Sequence, residues 1–126
     1  MKKTILIILI SILCSFQNKN DIKQKLIGTW KFERFEFPNY IQAESKQVKD
    51  ANKANKGLEI TFTIDNKFIS KQINGRSENN TRITYKLLKD NKHLVIGSDT
   101  TEIDKIDEKT LVLYAENRPT ILFIKK

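Results

Sequence analysis

Beyond Leu58 the chain alternates apolar and polar residues in short runs broken by turn residues, and this pattern limits the possible fold more than any other feature. Leu58, Ile60, Phe62 and Ile64 alternate with Glu59, Thr61 and Thr63. A period of two puts one face of a strand in a core and the other in water. Asp65-Asn66 turns into Lys67–Ile73, a polar loop containing Gly75 is expected over 74–80, and Ile83, Tyr85 and Leu87 resume the alternation. Lys89–Lys92, Gly97-Ser98-Asp99, Asp107–Lys109 and Glu116–Pro119 then separate runs at 93–96, 100–106, 110–115 and 120–125. Connections this short belong to antiparallel hairpins. With Thr29–Phe37 upstream the runs number eight. The fold class expected is all-β, an eight-stranded antiparallel up-and-down barrel that closes on itself and leaves no free edge. A small sandwich or half-open sheet also fits the strand count, but some of its strands must cross between sheets.

The first strand changes phase. Trp30 and Phe32 share one face, whereas Phe35 and Phe37 fall on the other. One extra residue near Glu33-Arg34, a β-bulge, accounts for the shift. Without a bulge, Arg34 shares the inward face with Trp30 and needs an anionic partner, either Glu36 or a ligand carboxylate. Tyr85, on an inward face, is then placed to orient the same head group, so Arg34 and Tyr85 are the candidate ligand-binding residues.

Pro38 ends that strand, and Asn39–Lys56 is rich in Ala, Lys, Gln and Glu, which predicts a helical insertion between strands 1 and 2. Gly57 follows as a stop. Lys46, Lys49, Lys53 and Lys56 fall on one stripe of that helix. The stripe suits either weak contact with an anionic membrane surface or a solvated outer face.

The N-terminus reads as an export signal. Lys2 and Lys3 precede an apolar run from Thr4 to Leu13, and polar residues follow. That order is the one secretory signals use, and the run is shorter than the ~20 residues a membrane span needs. Residues 1–16 are read as signal peptide, 17–25 as a polar tether and 26–126 as the barrel domain, destined for the periplasm or cell envelope. Cys14 is the single cysteine, so no internal disulfide is expected. It stands where lipidation is possible, although Leu13 before it is bulky, and simple cleavage near Ser15 is the alternative. The formal charge is +8, spread over scattered lysines, which favours solubility rather than nucleic-acid binding.

Gly28-Thr29-Trp30 opens the first strand after the signal, and here the chain resembles the lipocalin and calycin superfamily, in particular short bacterial lipocalin-like envelope proteins. The resemblance implies that Trp30 plugs the barrel floor and that Gly28 permits close backbone approach. In the family the tryptophan packs under a late arginine. This chain has Arg118 in a turn before the last strand, and Lys125 and Lys126 at that strand's end.

No catalytic constellation is legible. His93 is the only histidine, and a metal centre needs several converging ligands. No Gly-x-Ser-x-Gly motif occurs. No cofactor or metal is expected, and the function expected is non-catalytic: a monomeric, exported module binding a small apolar or amphipathic molecule. The alternative is an envelope protein–protein interaction module whose interior is filled by Trp30, Phe62, Tyr85, Leu113 and Phe123.

Overall fold

The computed structural model describes residues 21–37, 45–74 and 77–126, and only the backbone of 73, 74 and 77–80. The expected signal peptide and Cys14 lie outside the described residues. Eight strands form one closed antiparallel barrel in which each strand pairs with its sequence neighbours and β8 returns to β1. They are β1 (Gly28–Glu36), β2 (Glu59–Phe62), β3 (Lys67–Asn74), β4 (Ser77–Leu87), β5 (His93–Ile96), β6 (Asp99–Ile106), β7 (Thr110–Tyr114) and β8 (Thr120–Lys125). A helical turn, α1, covers 21–26, and α2 (Lys46–Ala54) lies between β1 and β2.

The bulge in β1 is present. The β1–β8 register shifts between Phe32 and Arg34, so Phe35 returns to the side of Trp30 and Phe32 and packs against the core. The Phe32 and Phe35 rings meet edge to face at 5.0 Å. A second shift occurs in β6 between Ile103 and Lys105.

Three expectations about element limits are corrected. The polar loop over 74–80 is mostly strand: Ser77 to Asn80 pair with Asn74 to Lys71 and lengthen the β3–β4 hairpin. Residues 21–25, expected within a polar tether, are helical. Ile27 N–H donates to the Lys23 carbonyl and Lys25 pairs with Asp21 at 3.0 Å, while Ile22 rests on the core. Within the described residues the insertion is helical over Lys46–Ala54, with Ser45 capping it by accepting from Val48 N–H, and it stops at Ala54 instead of the expected 56. Residues 38–44 lie outside the described residues.

Strand direction divides the barrel into two ends. Gly28, Phe62, Lys125 and Thr110 lie toward one end, with α1 beneath them. The other end carries the α2 insertion, the tip of the β3–β4 hairpin and the 97–98 and 115–119 turns. The core is densest toward the α1 end, where Leu26, Trp30, Phe62, Leu94 and Leu111 are wholly buried. Phe62 meets Phe68 and Tyr85 edge to face at 5.2 and 5.0 Å.

Candidate functional site: a closed floor and an open cup

Trp30 forms the floor. Its indole N–H donates to the Leu26 carbonyl at 2.9 Å, which ties α1 to the first strand. Lys125 Nζ stands 4.4 Å from the centre of the Trp30 ring, a cation–π contact. The same ammonium donates to the Ile27 carbonyl at 2.7 Å, and partial burial lowers its pKa. Gly28 makes room for this arrangement. Its φ is 132°, and a Cβ there would lie 2.3 Å from Lys125 Nζ. What approaches Gly28 is thus a lysine side chain, not the backbone that the resemblance implied.

Above the floor the interior opens. A cavity of about 340 Å³ is walled by apolar side chains from six strands, among them Ile60, Phe68, Ile83, Ile96, Leu113, Ile121 and Phe123. Its volume lies near the lower end of the ~300–1,000 Å³ typical of small-molecule sites. The cup is possible because the large aromatics sit low. Trp30, Phe62 and Tyr85 fill the half beside α1, and Leu113 and Phe123 border the cup instead of closing it. Ser70, Thr101, Asp99 and Arg118 add the polar groups. Thr101 Oγ1 donates to the Tyr114 carbonyl at 2.9 Å.

Two candidate ligand residues part company. Tyr85 points inward and is 3% exposed, with its hydroxyl donating to the Thr63 carbonyl at 2.7 Å. Burial raises its pKa. The inward placement considered for Arg34 is corrected. The bulge turns its side chain outward, where it is 53% exposed and meets Glu36 at 3.3 Å. The structure does not bring Arg34 and Tyr85 together.

Family models and curated proteins give no match to this chain. Solved structures do. A lipocalin-like protein from Bacteroides uniformis superposes with a TM-score of 0.61 at 10% identity, over 81% of this chain and 99% of its own. An uncharacterized protein from Bacteroides eggerthii gives 0.58 at 14% identity, covering 80% and 99% of the two chains. A duf4847 family protein from Bacteroides vulgatus gives 0.50 at 17% identity, covering 79% and 92%. The fold is lipocalin-like.

In this lipocalin-like barrel α2 lies outside β1. Val48 is its buried residue, and Asn52 Oδ1 accepts from Phe35 N–H at 2.8 Å. Lys46, Lys49 and Lys53 on it, and Lys56 just past its end, are all exposed. Gln72 Nε2 holds the Ala54 carbonyl at 2.7 Å, which ties the end of α2 to β3. The residues missed from sequence are those at the lipocalin-like cup's mouth, Ser70, Asp99 and Arg118. Ser70 carried a signal, since strand alternation puts it on the inward face with Phe68.

His93 lies elsewhere, beside the β4–β5 turn toward the α1 end. Its ring Nδ1 is 2.5 Å from Asp90 Oδ2. Among the described residues no group of three or more His, Cys, Asp or Glu is placed to hold a metal. Asp90 titrates at about 2, below its usual 3.8, chiefly because Lys92 N–H donates to it, with the His93 ring and N–H adding to the effect. The folded lipocalin-like barrel therefore favours the ionised form. The resulting stability is complete above pH 3.8 and is lost as pH falls toward 2. Asp90→Asn is expected to flatten the loss of stability across that window, measured by urea unfolding at successive pH values.

Proposed function

We propose that this barrel is an exported, non-catalytic binding module that holds a small apolar or amphipathic molecule in its cup. The cavity itself carries the reading: apolar walls around about 340 Å³ at one end of a barrel whose other end is sealed. Export rests on the charged, apolar and polar order of the first residues. A small ligand enters such a cup by exchanging ordered water for apolar wall, with little rearrangement of the strands. The lysines on α2 add positive potential outside the barrel, which suits loading from an anionic surface.

Decanol is a suitable neutral probe. Calorimetric titration is expected to show saturable binding to the wild-type protein and none to Ser70→Phe, in which a ring occupies the cup. An unchanged melting temperature confirms that the variant is folded. Equal decanol binding by both proteins places the ligand elsewhere.

One observation favours a second reading, an interaction module. Tyr114 and Ile124, on the face of β7 and β8 opposite the core residues Leu111 and Phe123, are 43% and 36% exposed, whereas Val112 and Leu122 on that face are buried. The mass of the protein taken from its own envelope, under native and then denaturing conditions, separates the two. Extra small-molecule mass lost on denaturation supports the cup, and a co-purifying protein supports the outer face.

A further inference from the structure

At the α1 end two turns stand side by side, and their surface belongs neither to the core nor to the cup. The β2–β3 turn presents Ile64, 79% exposed and the most exposed large apolar side chain among the described residues. Its turn is clamped, so the exposure is built in. Thr63 N–H donates to the Lys67 carbonyl at 2.9 Å and Tyr85 N–H to the Asn66 carbonyl at 3.0 Å, and the Tyr85 hydroxyl holds the Thr63 carbonyl. Beside it an open groove of about 680 Å³ runs to the β4–β5 turn, lined by Lys23, Asn66, Lys86, Lys89 and Asn91. Lys23 Nζ donates to Asn66 Oδ1 at 3.1 Å, whereas Lys86 and Lys89 have no ion-pair partner among the described residues. Lys67 and Arg82 add exposed positive charge on the adjoining strands. The acidic side chains of the two turns are already engaged. Asp65 accepts from the Thr63 hydroxyl, and Asp90 accepts from Lys92 N–H and pairs with the His93 ring.

We propose that this corner docks the barrel on an anionic phospholipid bilayer, with the lysines among the head groups and Ile64 below them among the acyl chains. A soluble polyanion answers the lysines but leaves the isoleucine in water. A bilayer interface supplies negative charge and hydrocarbon within the reach of one turn. The lysines of α2 lack the apolar half of this chemistry, since Val48 is buried. Docking at the α1 end leaves the mouth of the cup, at the opposite end, uncovered, and it does not depend on what the cup holds.

Ile64→Trp puts a fluorescent reporter at the proposed point of entry, and Trp30, wholly buried, adds an emission that vesicles leave unchanged. The full chain is mixed at low salt with vesicles of equal parts phosphatidylglycerol and phosphatidylcholine, or of phosphatidylcholine alone. A reporter at position 64 separates contact by this corner from insertion of the apolar run at 4–13. With the anionic vesicles only, the emission is expected to move to the blue, to be quenched by brominated acyl chains and to weaken in high salt. Adding Lys86→Gln with Lys89→Gln is expected to raise the lipid concentration for half the shift about tenfold or more, from the loss of two cationic contacts. Unchanged melting temperatures confirm that the variants are folded. Tyr114→Trp, on the outer face of β7, is the control and is expected to show no shift. No blue shift at 64 with anionic vesicles overturns the proposal, and so does an equal shift with phosphatidylcholine alone. A shift at 114 in place of 64 moves the contact to the outer face of β7 and β8. A shift abolished by Lys46→Gln with Lys53→Gln, and untouched by the Lys86 and Lys89 changes, moves it to α2. Either result overturns the assignment. If the shift at 64 is absent and Lys86→Gln with Lys89→Gln releases a co-purifying acidic protein, the corner docks a protein instead.

Discussion

Trp30→Ala is expected to destabilise the barrel by about 3–5 kcal/mol, the usual range for removing a large aromatic from a core. The side chain is wholly buried, so the substitution opens a cavity that the surrounding strands fill only in part. Two further losses follow. The Leu26 carbonyl loses its indole donor, and the Lys125 ammonium loses the ring beneath it while remaining partly buried. Against a total of roughly 5–15 kcal/mol for a domain of this size, the change is large. At about 4–8 °C per kcal/mol, the melting temperature should fall by at least about 12 °C. Trp30→Phe should lose less, because it keeps most of the apolar volume. Urea unfolding of the three proteins checks the order, and a Trp30→Ala protein within about 1 kcal/mol of wild type would show that the floor is not a principal support.

Gly28→Ala is the second large effect, expected at about 1–3 kcal/mol. Two causes combine at this position. Its φ of 132° is a conformation that residues with a Cβ avoid, and the added methyl meets Lys125 Nζ. The flexible lysine can withdraw, but only by giving up its hydrogen bond to Ile27 and its seat over Trp30. The two causes separate in a double-mutant cycle. Alanine at Gly28 should cost less in a Lys125→Ala background, where only backbone strain remains. A cost that is the same in both backgrounds would mean that strain acts alone. Neither variant should alter decanol binding in whatever fraction stays folded, because the floor and the cup lie at different levels of the barrel.

The barrel was legible from sequence where side-chain periodicity records burial directly. The change of phase between Phe32 and Phe35 signalled a bulge, and the β1–β8 register has one there. That bulge decides between the two placements considered for Arg34. Ser77–Asn80 were not legible as strand, since serine, asparagine and glutamate have little intrinsic preference for it. Their ladder is supplied by Lys71–Asn74 on the neighbouring strand, a tertiary cause that a local reading does not see. The end of β8 was a partial case. Lys125 occupies the place above Trp30 where the resembled family has an arginine, and a lysine reaches the same ring and an adjacent carbonyl by a different geometry. The cup was least legible of all. Its volume depends on which aromatics lie low in the barrel and which lie high, and strand register across all eight pairs fixes that, not any single segment.

The pairing of β1 with β8 sets the order of events during folding. Lys125 caps a floor built by Leu26, Ile27 and Trp30, and its contact with Ile27 joins residues 98 positions apart. Hairpins along β2 to β7 can zip as they emerge, but the floor cannot close until β8 is present. Closing so long a loop is slow, because its entropy is lost before the contacts form. A newly made chain therefore stays open and pliable for as long as its final strand is withheld. For the export proposed above, that interval suits passage through a channel that takes only unfolded polypeptide, with the seal between first strand and last made afterwards.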